Sequence, residues 1–139
     1  MNRVSDKLEL KREINDSLIK EGIPFCNAAG GTMIIGYNDD GTICGLTNAR
    51  QDLDKISNKI HDGIEPDVSF LVAPRIEKED GKDIIIVEVL QGTNKPYYIK
   101  SKGMTPEGVY VRIGATSQPS TSDAIRDMII DSSGITFEK

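Results

Sequence analysis

Asn27-Ala28-Ala29-Gly30-Gly31-Thr32-Met33-Ile34-Ile35-Gly36-Tyr37-Asn38-Asp39-Asp40-Gly41 runs from one turn through an apolar stretch into another turn. The run from Thr32 to Tyr37 is short and rich in β-formers, which reads as a buried strand rather than a helix. Asn38-Asp39-Asp40-Gly41 is the strongest turn signal in the chain, because Asx and Gly residues accept the conformations tight turns require. Thr42 to Leu46 then reads as the second arm of a hairpin.

Upstream, Leu8-Glu9-Leu10 alternates as a short strand, and Ile14, Leu18 and Phe25 recur at helical spacing, with Gly22 and Pro24 placed to end or kink that helix. Downstream, Leu53, Ile56 and Ile60 share one helical face behind a capping Asn48, and Gly63 with Pro66 closes the element. Val68 to Ile76 is predicted as a strand interrupted at Pro74, turning through Glu79-Asp80-Gly81-Lys82 into the apolar strand Asp83 to Val89. Pro96 to Ile99 reads as an edge strand and Val109 to Ile113 as another strand. A loop over Gly114–Pro119 and a last helix, capped by Ser120 or Thr121 and buried through Ala124, Ile125, Met128 and Ile129, complete the reading. The expected fold is α+β: one compact domain, a mixed and mostly antiparallel sheet, and about three helices.

The chain has 139 residues, enough for one core without staples. Its two cysteines, Cys26 and Cys44, fit neither a disulfide framework nor a four-ligand metal site, so core thiols and a reducing, cytoplasmic setting are expected. No apolar run approaches the length of a spanning helix, so no membrane partner is expected. Net charge is −5, which excludes a surface that grips phosphate everywhere and requires any nucleic-acid contact to be local.

Three groups of residues carry candidate chemistry. Glu9 and Glu13 near the first strand, with Asp39 and Asp40 in the turn, are candidate catalytic carboxylates; Glu9 and Asp39 are the candidate metal ligands, since hard oxygens hold divalent cations that activate water. A solvated charge run beside an Asx-Gly turn accounts for the same residues. Gly30-Gly31 has no following Lys-Ser/Thr and precedes a strand, so close backbone approach explains it better than a phosphate cradle. Lys95, Lys100, Lys102 and Arg112 surround Tyr97 and Tyr98; basic groups neutralise phosphates and tyrosines stack on unpaired bases, although tyrosines can equally cover a sheet. A second basic group, Lys7, Lys11 and Arg12, lies near the first strand. His61 stands alone and makes a poor acid–base candidate.

Read in order, Leu8 to Glu13, Asn27 to Thr32, Ile35 to Gly45, Pro96 to Tyr98 and Gly108 to Gly114 resemble the Schlafen AlbA_2 family. The resemblance implies a DNA-binding role at the front of transcriptional regulators and helicase-related or divergent ATP-binding proteins. Residues 1–132 would form that domain and 133–139 open a linker to further domains. The implied partners are DNA or RNA and those downstream domains. A separate alternative, a dimerisation or interaction module forming a homodimer, comes from the acidic balance and from the edge strand around Tyr97, whose unpaired groups could pair with another chain. Some relatives cleave RNA with two glutamates and an aspartate. Here Glu9 matches one glutamate, Val4 stands in place of the other and Asn38 in place of the aspartate, leaving Asp39 and Asp40 as substitutes. The expectation is therefore a binding domain without catalysis and without a cofactor, Mg²⁺ or Mn²⁺ entering only if nuclease activity is retained.

Overall fold

The computed structural model describes residues 5–133. Three helices and eight strands make an α+β domain: β1 (Leu8–Lys11), α1 (Leu18–Asn27), β2 (Gly31–Ile35), α2 (Ala49–Gly63), β3 (Ile64–Glu65), β4 (Val72–Glu79), β5 (Lys82–Val89), β6 (Tyr98–Ile99), β7 (Tyr110–Ile113), β8 (Thr116–Pro119) and α3 (Ser122–Ser133). The main sheet has the order β1-β2-β5-β4, with β1 parallel to β2 and the other neighbours antiparallel. Two short ribbons, β3-β6 and β7-β8, stand apart from it. The expected linker falls outside the described residues apart from Ser133, as does Val4.

Strand alternation sorts the side chains onto two faces. Met33 and Ile35 of β2 join Ile85, Val87 and Val89 of β5 under Leu18, Ile23 and Phe25 of α1 and Ile56 and Ile60 of α2, forming the main core. The opposite face carries a smaller cluster of Leu10, Ile34, Tyr37 and Ile84. Glu9 and Lys11 of β1 consequently share the main-core face, where each must find a partner.

Several local expectations are corrected. Gly22 and Pro24 do not end α1; the helix continues through both to Asn27. Proline costs roughly 3 kcal/mol inside a helix, but Ile23, Pro24, Phe25 and Cys26 are all buried, and packing of that whole turn outweighs the lost bond. Thr42 to Leu46 forms no second hairpin arm: only an isolated bridge joins Tyr37 to Ile43. Cys44 and Gly45 N–H groups both donate to the Gly36 carbonyl, which folds the segment back and leaves the edge of β2 to β5. Gly114–Pro119 is not all loop, because Thr116–Pro119 pairs with β7 as β8. Its polar sequence carries no apolar alternation to betray a strand.

The β4-β5 hairpin turns at Asp80 (φ 51°) and Gly81 (φ 77°), a pair of left-handed residues that matches strand twist. Glu79 faces Lys82 across this turn, and Leu90 N–H donates to the Leu71 carbonyl at the far end of the same register. Ladder bonds in an antiparallel pair alternate, so Pro74 presents its missing donor to the open outer edge. That edge is further blunted by the exposed Lys78.

The Gly30-Gly31 pair serves close approach. A Cβ on Gly31 would lie 2.3 Å from the Phe25 ring, and one on Gly30 would lie 2.7 Å from the Val89 carbonyl oxygen. Both cysteines are free, and burial pushes the Cys26 thiol up to about 12. No helix among the described residues is long and apolar enough to cross a membrane.

Gly31→Ala should therefore destabilise the domain by about 1–3 kcal/mol in urea unfolding, the usual cost of overpacking against an aromatic that cannot withdraw. In iodoacetamide labelling at pH 8, half-exposed Cys44 should react while Cys26 resists until the chain is unfolded, because only the thiolate is nucleophilic.

Candidate nucleic-acid interface

Asn27, the last residue of α1, ties the second half of the chain to the first. Its buried amide nitrogen donates to the carbonyls of Tyr97 and Tyr110, both at 3.0 Å, and its amide oxygen accepts from the Tyr97 N–H at 2.7 Å. An amide has one carbonyl and two N–H groups, so a side chain here does what a strand neighbour would do for backbone that has none. Tyr97 itself is 2% exposed, and its phenol oxygen accepts from the Asn94 N–H.

Arg112, in β7, makes the second tie. Its Nη1 donates to Glu9 Oε1 at 2.8 Å and to Ser117 Oγ at 3.1 Å; its Nε and Nη2 reach the Ser5 carbonyl, and Nη2 also reaches that of Leu8. The guanidinium lies 5.1 Å from the centre of the Phe25 ring, and the side chain is only 1% exposed. Arginine has five N–H donors in a fixed fork, and these acceptors occupy the fork. Tyr97 and Arg112, both expected to touch nucleic acid, thus lie beneath the surface as structural residues.

Between these ties the chain presents a ridge of lysines. Ile99 pairs with Ile64, and the Lys100 N–H donates to the Gly63 carbonyl at the end of α2, a helix terminus that favours a nearby cation. Lys102 and Gly103 N–H groups both donate to the Ile99 carbonyl, closing a tight turn. A Cβ on Gly108 would sit 2.1 Å from the Gly103 carbonyl oxygen, so the two limbs of this loop touch. Lys100 is 61% exposed and meets Glu65 only at 3.8 Å. Lys102 is exposed, Lys95 is half-buried, and neither has an ion-pair partner among the described residues. Tyr98 is half-buried beside them, donating to Glu65; desolvation and then that carboxylate push its phenol above the ordinary range.

The remaining candidates do not gather. Glu9 is held by Arg112; Glu13 is exposed on a cavity of about 470 Å³ that Arg12, Asp52 and Lys55 also line. Asp39 is exposed in its turn, and Asp40 accepts from the Thr42 hydroxyl and amide, contacts that hold its carboxyl below the usual range, the hydroxyl contributing most. Asn38, which replaces an expected aspartate, donates to Thr42 Oγ1. Among the described residues no three of His, Cys, Asp and Glu meet as a metal site. Of the other basic group, Lys11 is 7% exposed and bound to Glu21, Ser17 and Asn15.

Asn27 was legible only as part of a turn, because its partners lie 70 and 83 residues away. Lys59 also escapes sequence reasoning: it lines the same cavity as Lys100, 41 residues away in the chain.

The profile of the family described as Schlafen, AlbA_2 matches residues 5–121. A protein of Corynebacterium diphtheriae superposes with a TM-score of 0.69 at 18% identity, over 94% of this chain and 25% of that one. The chain thus spans about a quarter of that protein's length. The N-terminal domain of a RecG-related protein from Nitrosomonas europaea superposes with a TM-score of 0.61 at 24% identity, over 87% and 86% of the two chains. Comparison with curated proteins gave no match.

Removing one member of a buried ion pair strands the other, so Arg112→Ala should lower the unfolding free energy by about 3–5 kcal/mol. Arg112→Lys should recover only part of it in the same denaturant titration, since a lysine offers three donors to a site built for a planar fork.

Proposed function

This chain belongs to the Schlafen AlbA_2 family, and from that premise we propose that it is a nucleic-acid-binding domain of a larger regulatory or helicase-related protein, without catalysis of its own. The reading rests on one observation above others: Lys95, Lys100 and Lys102 stand on a loop braced by Asn27 and β3-β6, with no strong internal partner for their charges. Apart from Arg112, which is buried against Glu9, residues 90–120 carry three lysines against the single acidic Glu107, although the chain as a whole stands at −5. Glu65 is the carboxylate that stands against this loop, and the remaining lysine charge can meet phosphate.

In this reading Lys95, Lys100 and Lys102 contact backbone phosphates and Tyr98 shields their approach. Tyr97 and Arg112 contribute by position: the first fixes the loop through Asn27, the second anchors the β7-β8 ribbon behind it. The parent protein's further domains would then act on a strand this domain holds. That inference is supported by family membership and by the small share of the Corynebacterium protein that the chain matches.

Fluorescence anisotropy with single-stranded DNA and RNA tests the reading. Affinity should fall steeply between 50 and 200 mM salt, and Lys100→Glu with Lys102→Glu should reduce the slope of log K against log salt by roughly 1.5, the loss of two phosphate contacts. Binding that ignores salt would refute the phosphate mechanism.

A further inference from the structure

A cavity of about 480 Å³ opens beside the lysine ridge, between the ends of α1, α2 and β6. Its floor is apolar, made by Ile19 and Ile99, and Gly63 permits that floor: a Cβ there would lie 2.3 Å from Ile19 Cδ1. Lys59, Lys100 and Asp62 stand on its rim, and Asn58 and Ser101 add an amide and a hydroxyl with no internal hydrogen-bond partner among the described residues. The lysines' carboxylate partners are weakly placed: Asp16 is fully exposed at 3.4 Å from Lys59, and Glu65 is 3.8 Å from Lys100. Exposed pairs of this kind contribute little and can be exchanged for phosphate.

We propose that this cavity receives one unstacked base of a single-stranded nucleic acid, with Lys59 and Lys100 gripping the phosphates on either side of it. The inference deepens the nucleic-acid reading and rests on it. An apolar slot of this size with a few polar groups at its mouth suits a flat heterocycle, which can sit on aliphatic side chains and offer its edge to Asn58 and Ser101. Two lysines against the one carboxylate of Asp62 leave the lining with a net positive charge, which suits a phosphate-bearing unit, whereas a purely apolar partner would leave both ammonium groups against it. Duplex bases are stacked and paired, so a duplex could use the ridge but not the slot.

Anisotropy at 50 mM salt with three probes tests this: oligodeoxythymidylate of about a dozen nucleotides, a fully abasic strand of equal length, and thymidine monophosphate as competitor. The intact strand should bind the wild-type domain at least about 5-fold more tightly than the abasic strand, the gain from burying one face of a base on aliphatic side chains. Asn58→Trp, at an exposed helical position, should obstruct the slot and bring the ratio of intact to abasic affinity to about 1. Equal binding of intact and abasic strands would overturn the slot and leave the lysine ridge standing. A monophosphate that competes as strongly as the strand would overturn the single-strand assignment. Failure of every strand to bind would overturn both the slot and the nucleic-acid reading beneath it.

Discussion

A guanidinium whose donors are taken up inside the protein governs how this domain is put together. Arg112 comes from a two-stranded ribbon that is not hydrogen-bonded to the main sheet, yet it holds the first strand by a carboxylate and by two backbone carbonyls of the chain around it. Buried ion pairs repay desolvation only when the remaining donors and acceptors are satisfied. Here Ser117 and the Phe25 ring complete the environment, so the charge is kept where only one arrangement of β1, α1 and β7 accommodates it. Asn27 repeats the logic with a neutral group, satisfying backbone of Tyr97 and Tyr110 from the end of α1. The two ties fix both ends of the segment that carries the exposed lysines.

The same frame separates basic residues by job. Lys11 and Arg112 are absorbed by Glu21 and Glu9, whereas Lys100 and Lys102 emerge on a turn whose backbone bonds are already made. A net charge of −5 is compatible with nucleic-acid contact because acidic groups of the β4-β5 hairpin, such as Glu77 and Glu88, pair with Arg75 at the other side of the sheet. Charge counted over the chain says little about the field at one loop.

Local chemistry was legible in the sequence and long-range bonding was not. Asn48 caps α2 by accepting from Gln51 N–H, the Asp80-Gly81 turn closes the hairpin, and the apolar run at β5 is a central strand, all signals carried within a few residues. The fate of Thr42 to Leu46 depended instead on competition: β5 offers β2 a strand with apolar residues on both faces, and no property of the turn at Asp39-Asp40 could reveal that rival. The site divided in the same way. Lys100 and Lys102 could be picked out as neighbours of two tyrosines, but the burial of Tyr97 and Arg112 follows from partners 70 to 107 residues distant. The pairing of Glu9 with Arg112, 103 residues away, was equally hidden from the sequence.

In the proposed function, the exposed lysine loop and the slot beside it form the surface that meets nucleic acid. Titrating a ¹⁵N-labelled domain with a single-stranded oligonucleotide and following amide chemical shifts tests it most directly. Perturbations should cluster at residues 95–103 and 58–63, leaving the amides around Arg12, Lys55 and the 38–42 turn in place. Shifts concentrated at Arg12 and Lys55, or none at saturating oligonucleotide, would contradict it.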